Sequence, residues 1–208
     1  MNPLVQSRPR YEDELQRELA LLFRSNGWTA VREYSPDHAN VRVDLLADHD
    51  AYGRIGVETK FLTTARSGGT LAEAHMQITR DYWHRQYNGE QVTLWAIAPY
   101  YHGETLPGSV DERRVQSFVR EFCHRQGIGV IDCHANTLTA TFANGTIPIA
   151  GPYLDTYDAK LDVESLRESV QQKRADSLWE EWKETVPRSS TLNERVIELI
   201  EHDVKNRD

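Results

Sequence analysis

Two segments of β-forming residues, VRVDLLA (41–47) and RIGVETKFL (54–62), are separated only by DHDAYG (48–53). A link this short between two strand-like runs forces antiparallel neighbours, because a parallel return needs a dozen residues or more. Side chains alternate across a strand, so Glu58 and Lys60 share one face while Val57 and Thr59 take the other. In the first segment the same rule groups Arg42, Asp44 and Leu46 against Val41, Val43 and Leu45. Pairing then brings Asp44 near Glu58, inside strands that are otherwise apolar.

Two carboxylates that close repel unless a cation lies between them. Mg2+ (or Mn2+) suits the pair, since it prefers hard oxygen ligands and is held by one or two carboxylates plus substrate phosphate oxygens. The Thr59 backbone carbonyl could add a ligand. A metal there would activate water and stabilise charge on a phosphate, with Lys60 positioning the water or the pentavalent phosphorus. The competing reading is a cross-strand salt bridge on a solvated face, worth under about 1 kcal/mol. The apolar surroundings, including Leu46 and Gly56, argue for a covered face instead.

The rest of the chain places this pair in an α/β setting. Residues 11–26, YEDELQRELALLFRSN, set Leu15, Leu19, Leu22 and Phe23 at helical spacing, and Gly27 supplies a stop. WTAVREY (28–34) reads as a first strand and SPDHAN (35–40) as a turn. After the loop TTARSGG, residues 70–87 carry Leu71, Ala74, Ile78 and Tyr82 on one helical face, and VTLWAIAP (92–99) reads as a strand. A helix crossing between two strands implies that they run parallel. A helix over 111–126, with Val115, Phe118, Val119 and Phe122, stops at Gly127 before the strand IGVIDC. Residues 137–151 read as a hairpin turning at Asn144-Gly145. Beyond Pro152 the composition shifts to charged helix formers, giving two C-terminal helices, 162–184 and 191–208. Their Leu166, Leu178, Trp182, Val196 and Ile200 pack on the core or on a partner.

Asp44, thirteen intervening residues, then Glu58-Thr59-Lys60 behind an amphipathic helix resembles the PD-(D/E)XK nuclease superfamily over roughly residues 11–100. The resemblance implies a restriction-endonuclease-like central mixed β-sheet flanked by helices, divalent-metal catalysis and, usually, a DNA substrate. It gives Asp44 and Glu58 the metal-ligand roles and Lys60 that of the catalytic lysine. It also implies an acid on the first helix, for which Glu12, Glu14 and Glu18 compete. Glu12 falls within the apolar stripe, Glu18 borders it and Glu14 lies further round, which favours Glu12. Gln77, with Tyr82 as its aromatic, is similar to the Gln-plus-Tyr helix motif of RecB-like members, although the spacing is one residue off. The division that follows is a nuclease core over 1–155 and a C-terminal helical extension over 156–208.

Charge limits how such an enzyme meets its substrate. With 24 Lys and Arg against 32 Asp and Glu, the net charge is -8, so DNA must be drawn in by a local basic surface and by metal. Arg66, Arg80 and Tyr82 are the candidate nucleic-acid contacts, with ordinary helix packing as the alternative. The two cysteines, Cys123 and Cys133, and His75, His84, His102, His124 and His134 have no zinc-ligand spacing. Gly68-Gly69 lacks the Lys and Ser/Thr of a phosphate-binding P-loop, and no Ser or Cys is paired with a base for acyl transfer. No run approaches the roughly eighteen apolar residues of a membrane span, and the first residues contain no signal-type run, which points to a cytoplasmic protein. A homodimer through the C-terminal helices is a further expectation.

Overall fold

The computed structural model describes residues 9–37, 39–62, 67–101, 110–134, 137–151 and 163–185. Helix α1 (Glu12–Ser25) leads into strands β1 (Thr29–Tyr34), β2 (Val43–His49) and β3 (Gly53–Leu62). Helix α2 (Ser67–Met76) continues as a π-helical segment (Gln77–Tyr82), followed by a two-stranded hairpin, β4 (Gln86–Tyr87) and β5 (Glu90–Gln91). Strand β6 (Leu94–Tyr101), helix α3 (Val110–Arg125), strands β7 (Gly129–His134), β8 (Thr137–Phe142) and β9 (Gly145–Ala150), and helix α4 (Val163–Thr185) complete the order.

The large sheet has seven strands in the order β1-β2-β3-β6-β7-β8-β9. Strands β1 to β3 form an antiparallel meander, β3 pairs parallel with β6 through the α2 crossover, and β6 pairs parallel with β7. The β8–β9 hairpin closes the far edge. Helix α1 packs on β1, β2 and β3 and also on β9, so the mixed sheet curls around it.

Each face of the sheet carries its own core. On one, Leu15, Leu19 and Phe23 of α1 and Leu166 and Val170 of α4 meet Leu45, Ala47, Ile55 and Val57. On the other, Leu71 and Ala74 of α2, Ile78 and Tyr82 of the π segment and Val119 and Cys123 of α3 meet Leu46, Leu62, Trp95 and Ile97. The period-2 and period-3.6 apolar patterns therefore interlock as expected. Phe118 departs from its expected inward place and is 48% exposed, since Val119 and Cys123 supply the buried stripe of α3.

Both expected glycine stops are present as αL caps. Gly27 (φ 86) follows α1, with Trp28 N–H donating to the Phe23 carbonyl and Gly27 N–H to Arg24; Gly127 (φ 66) closes α3 with the equivalent pair, Ile128 to Cys123 and Gly127 to His124. These are Schellman caps, which satisfy the last carbonyls of each helix.

The single helix expected over 70–87 needs correction. It changes to π winding at Gln77, with Trp83 N–H donating to the Ile78 carbonyl, and gives way to the β4–β5 hairpin. The hairpin turns on Asn88 (φ 55) and Gly89 (φ 77), the paired positive φ of a type I′ turn. Asn88-Gly89 is the signal that helical periodicity overrode. The Asp37 carboxylate accepts the Asn88 and Gly89 N–H groups and pins the tip. At the β8–β9 hairpin, Phe142 pairs with Gly145, so the two linking residues are Ala143 and Asn144, one position earlier than expected.

Helix α4 runs onto the core through Leu166 and Val170, and Arg174 (2% exposed) lies with its guanidinium 3.6 Å over the Trp83 ring. Desolvation pulls the Arg174 pKa down to about 9. The second C-terminal helix, with Val196 and Ile200, lies outside the described residues, as do the side chains of Leu178 and Trp182. Among the described residues no helix is long and apolar enough to cross a membrane.

Gly56 lets the sheet accept Trp95. A Cβ at position 56 would sit inside the van der Waals radius of the buried Trp95 ring, which is itself stacked on Tyr82 at 5.4 Å. Gly56→Ala is expected to destabilise the protein by roughly 1–3 kcal/mol, the usual cost of overpacking a filled core. Urea denaturation checks this; a midpoint equal to wild type would contradict it.

Candidate active site

The site forms where β2 and β3 part. Their paired register runs from His49↔Gly53 to Leu45↔Val57 and goes no further, although β3 continues to Leu62. Beyond that point the β3 amides that faced β2 need other acceptors. Asp44 Oδ2 accepts the Thr59 N–H at 2.7 Å and the Thr59 hydroxyl at 2.6 Å. Glu12 Oε1 accepts the Phe61 N–H at 3.3 Å. Two carboxylates thus stand in for a missing strand, one from β2 and one from α1.

This parting also corrects the simple alternation. Val43 and Leu46 both belong to the α2-side core, so the pleat breaks between them. Asp44 is turned towards the β3 backbone, where the Thr59 hydroxyl, expected on the opposite face, reaches it.

Glu58 is 1% exposed and Thr59 is wholly buried, which bears on the surface salt-bridge reading. Lys60 Nζ donates to Glu58 Oε1 at 2.7 Å, while Glu58 Oε2 is buried and accepts no hydrogen bond. Desolvation first, and then the Asp44 charge, push the Glu58 pKa from 4.5 up to about 7, against the opposing charge and hydrogen bond of Lys60; the Tyr82 hydroxyl lies close enough to Glu58 to add to that pull, although it is directed at the Arg42 carbonyl and leaves Oε2 without a bond of proper geometry. For Lys60, burial acts to lower the pKa, but the Glu58 charge and hydrogen bond, helped by Glu12 and Asp44, prevail and leave it raised. Lys60 therefore stays cationic near neutrality. An unpaired buried carboxylate oxygen beside a second carboxylate is a costly arrangement in the absence of a cation.

Tyr82 is 3% exposed, so it offers no face to a base, contrary to its nomination as a nucleic-acid contact. Its ring stacks on Trp95, and its hydroxyl gives its one proton to the Arg42 carbonyl at 2.9 Å. Burial, followed by the Glu58 and Asp44 charges, raises the Tyr82 pKa, so it remains a neutral phenol under the site. Gln77, partly exposed, begins the π segment that ends at Tyr82. A π turn closes with one residue more than an α turn, which sets Gln77 and Tyr82 at the two ends of this segment.

The remaining candidates separate. Arg80 is exposed and engaged by the neighbouring Asp81 carboxylate through two 2.8 Å bonds. Arg66 lies outside the described residues. Of Glu12, Glu14 and Glu18, Glu12 is the one hydrogen-bonded to β3 among the described residues, while Glu14 accepts the Arg10 N–H. Burial pushes the Cys123 thiol up to about 12, which rules it out as a nucleophile. Arg42, which alternation groups with Asp44, has no role assigned from the sequence. It lies two residues from Asp44, its side chain is 68% exposed, and Glu33 stands 3.8 Å away.

Among the described residues no three His, Cys, Asp or Glu side chains converge on one point. The site offers two carboxylates, which with carbonyl and water oxygens is a donor set that Mg2+ accepts.

No family model matches the chain, and no curated protein matches it. Among solved structures it is similar to the SPO1766 protein of unknown function from Silicibacter pomeroyi. The two share 16% identity over 83% of this chain and 92% of that one, with a TM-score of 0.30.

The Glu58 environment makes stability depend on pH. Because its pKa is raised on folding, its contribution is fully present below about pH 4.5 and is lost as pH rises through about 7. In chelator, the stability of wild type relative to Glu58→Gln should fall over that window by on the order of 3 kcal/mol. Denaturation curves at several pH values measure it; a difference that stays flat with pH would contradict the burial of an ionisable Glu58.

Proposed function

We propose that the protein is a divalent-metal-dependent nuclease that hydrolyses DNA phosphodiester bonds, built on a restriction-endonuclease-like fold of the PD-(D/E)XK type. The observation that carries the reading is the pair of adjacent carboxylates where β2 and β3 part. Glu58 Oε2 accepts no hydrogen bond, Asp44 Oδ1 accepts none among the described residues, and a cationic Lys60 stands beside them. The unpartnered buried oxygen fits an Mg2+ (or Mn2+) ion better than it fits a metal-free salt bridge.

Asp44 and Glu58, with the Thr59 carbonyl, would hold the ion. When bound, such a cation supplies acidification of water and neutralisation of phosphate charge. The chain's own groups do the rest. Lys60, protonated and hydrogen-bonded to Glu58, can donate to a non-bridging phosphate oxygen or orient the attacking water, but it is no base at neutral pH. Glu12 holds the end of β3 in place from α1, and Tyr82 closes the site from below. Arg42, exposed and two residues from Asp44, would exchange its 3.8 Å ion pair with Glu33 for a phosphate beside the scissile one.

Linear, circular, branched and single-stranded DNA incubated with the protein in Mg2+ or Mn2+ provide the test, with Asp44→Ala and Lys60→Ala alongside. Wild type is expected to cut at least one substrate, and each variant to lose at least about 100-fold. Failure to cut any of them sinks the reading, and equal cutting by the variants sinks the site.

A further inference from the structure

The two carboxylates are held in a particular way. Each has one oxygen engaged by the protein and one left over: Asp44 Oδ2 takes both the N–H and the hydroxyl of Thr59, and Glu58 Oε1 takes Lys60 Nζ. A carboxylate oxygen has about two lone-pair sites, so two donors at 2.7 and 2.6 Å occupy all that Oδ2 has. Asp44 can then offer a cation only Oδ1. Glu58, 1% exposed with Oε2 unpartnered, likewise presents one oxygen.

One-oxygen carboxylates matter because divalent ions differ in what they accept. Mg2+ demands about six ligands at about 2.0–2.1 Å in a near-octahedral shell, whereas Ca2+ takes roughly six to eight at about 2.3–2.6 Å and often binds a carboxylate through both oxygens. A carboxylate barred from two-oxygen binding fits the smaller shell and falls short of the larger one.

We propose that the Thr59 hydroxyl, by occupying Asp44 Oδ2, makes Asp44 a one-oxygen ligand and so biases the site towards Mg2+ or Mn2+ and against Ca2+. Thr59 is thus a positioning residue that sets ion selectivity. This rests on the metal reading above and deepens it. The backbone N–H donates to Oδ2 whatever the side chain, so the hydroxyl supplies only part of the effect. Loss of the hydroxyl leaves Oδ2 one lone-pair site with which to join Oδ1 around a large ion.

Calorimetric titration of metal-free protein with Mn2+ and with Ca2+ tests this without relying on cleavage. Wild type, Thr59→Val, Thr59→Ala, Thr59→Ser and Asp44→Asn are compared, with unfolding in chelator confirming that each is folded. Wild type is expected to prefer Mn2+. Thr59→Val, nearly isosteric, should narrow the Mn2+/Ca2+ affinity ratio by about 10-fold, Thr59→Ala should move it the same way, and Thr59→Ser should retain it. A purely structural role would weaken both ions in proportion, and that result overturns the inference. If wild-type binding depends on Asp44 but the ratio is unmoved in the valine and alanine variants, the inference alone falls. If Asp44→Asn binds both ions as wild type does, the metal reading falls and the inference with it.

Discussion

The parting of β2 from β3 after Leu45 and Val57 is the constraint on which the rest depends. A strand that loses its neighbour must find acceptors for its exposed amides, because an unpaired buried N–H costs as much as a lost hydrogen bond. Here the acceptors are the carboxylates of Asp44 and Glu12, aimed at Thr59 and Phe61. The same bonds that complete the sheet gather negative charge at the end of β3. Charge gathered there is tolerated through Lys60, whose ammonium lies 2.7 Å from Glu58.

Packing on the α2 side holds the other half of the arrangement. Gly56 leaves room for Trp95, Trp95 gives a face to Tyr82, and Tyr82 ties the Arg42 carbonyl just ahead of Asp44. Tyr87 adds a second contact to Trp95 and donates its hydroxyl to the Tyr82 carbonyl at 3.2 Å. The β4–β5 hairpin that carries Tyr87 is in turn fixed by Asp37 and by Arg54, which donates to the Tyr87 carbonyl. A chain of packed rings thus connects Gly56 and the β4–β5 hairpin to the phenol beside Glu58.

Chemically, the site is divided by environment. Glu58 sits in a dry setting that resists ionisation, while Lys60 is kept charged by the same neighbours. Two adjacent groups whose ionisation is shifted by burial and by specific partners mark a candidate functional site. Among the described residues this cluster couples such perturbation to an unpartnered buried carboxylate oxygen.

Local pattern alone determined much of this protein. The α1 stripe, the glycine stops at 27 and 127, the meander, the parallel β3–β6 pair and the closeness of Asp44 to Glu58 follow from periodicities and loop lengths, which act over a few residues. Tertiary structure decided the remainder. The break in alternation at Val43–Asp44, the π winding at Gln77 and the hairpin at Asn88-Gly89 each trade a local preference for contacts made elsewhere in the chain. The apolar stripe already favoured Glu12 among the first-helix acids, but its bond to the Phe61 N–H depends on how α1 docks. That Tyr82 lies beneath the site instead of at its surface depends on Trp95. The Thr59 hydroxyl bond to Asp44 was invisible to the alternation rule, because that rule assumes a continuous ladder and the ladder ends one pair too soon.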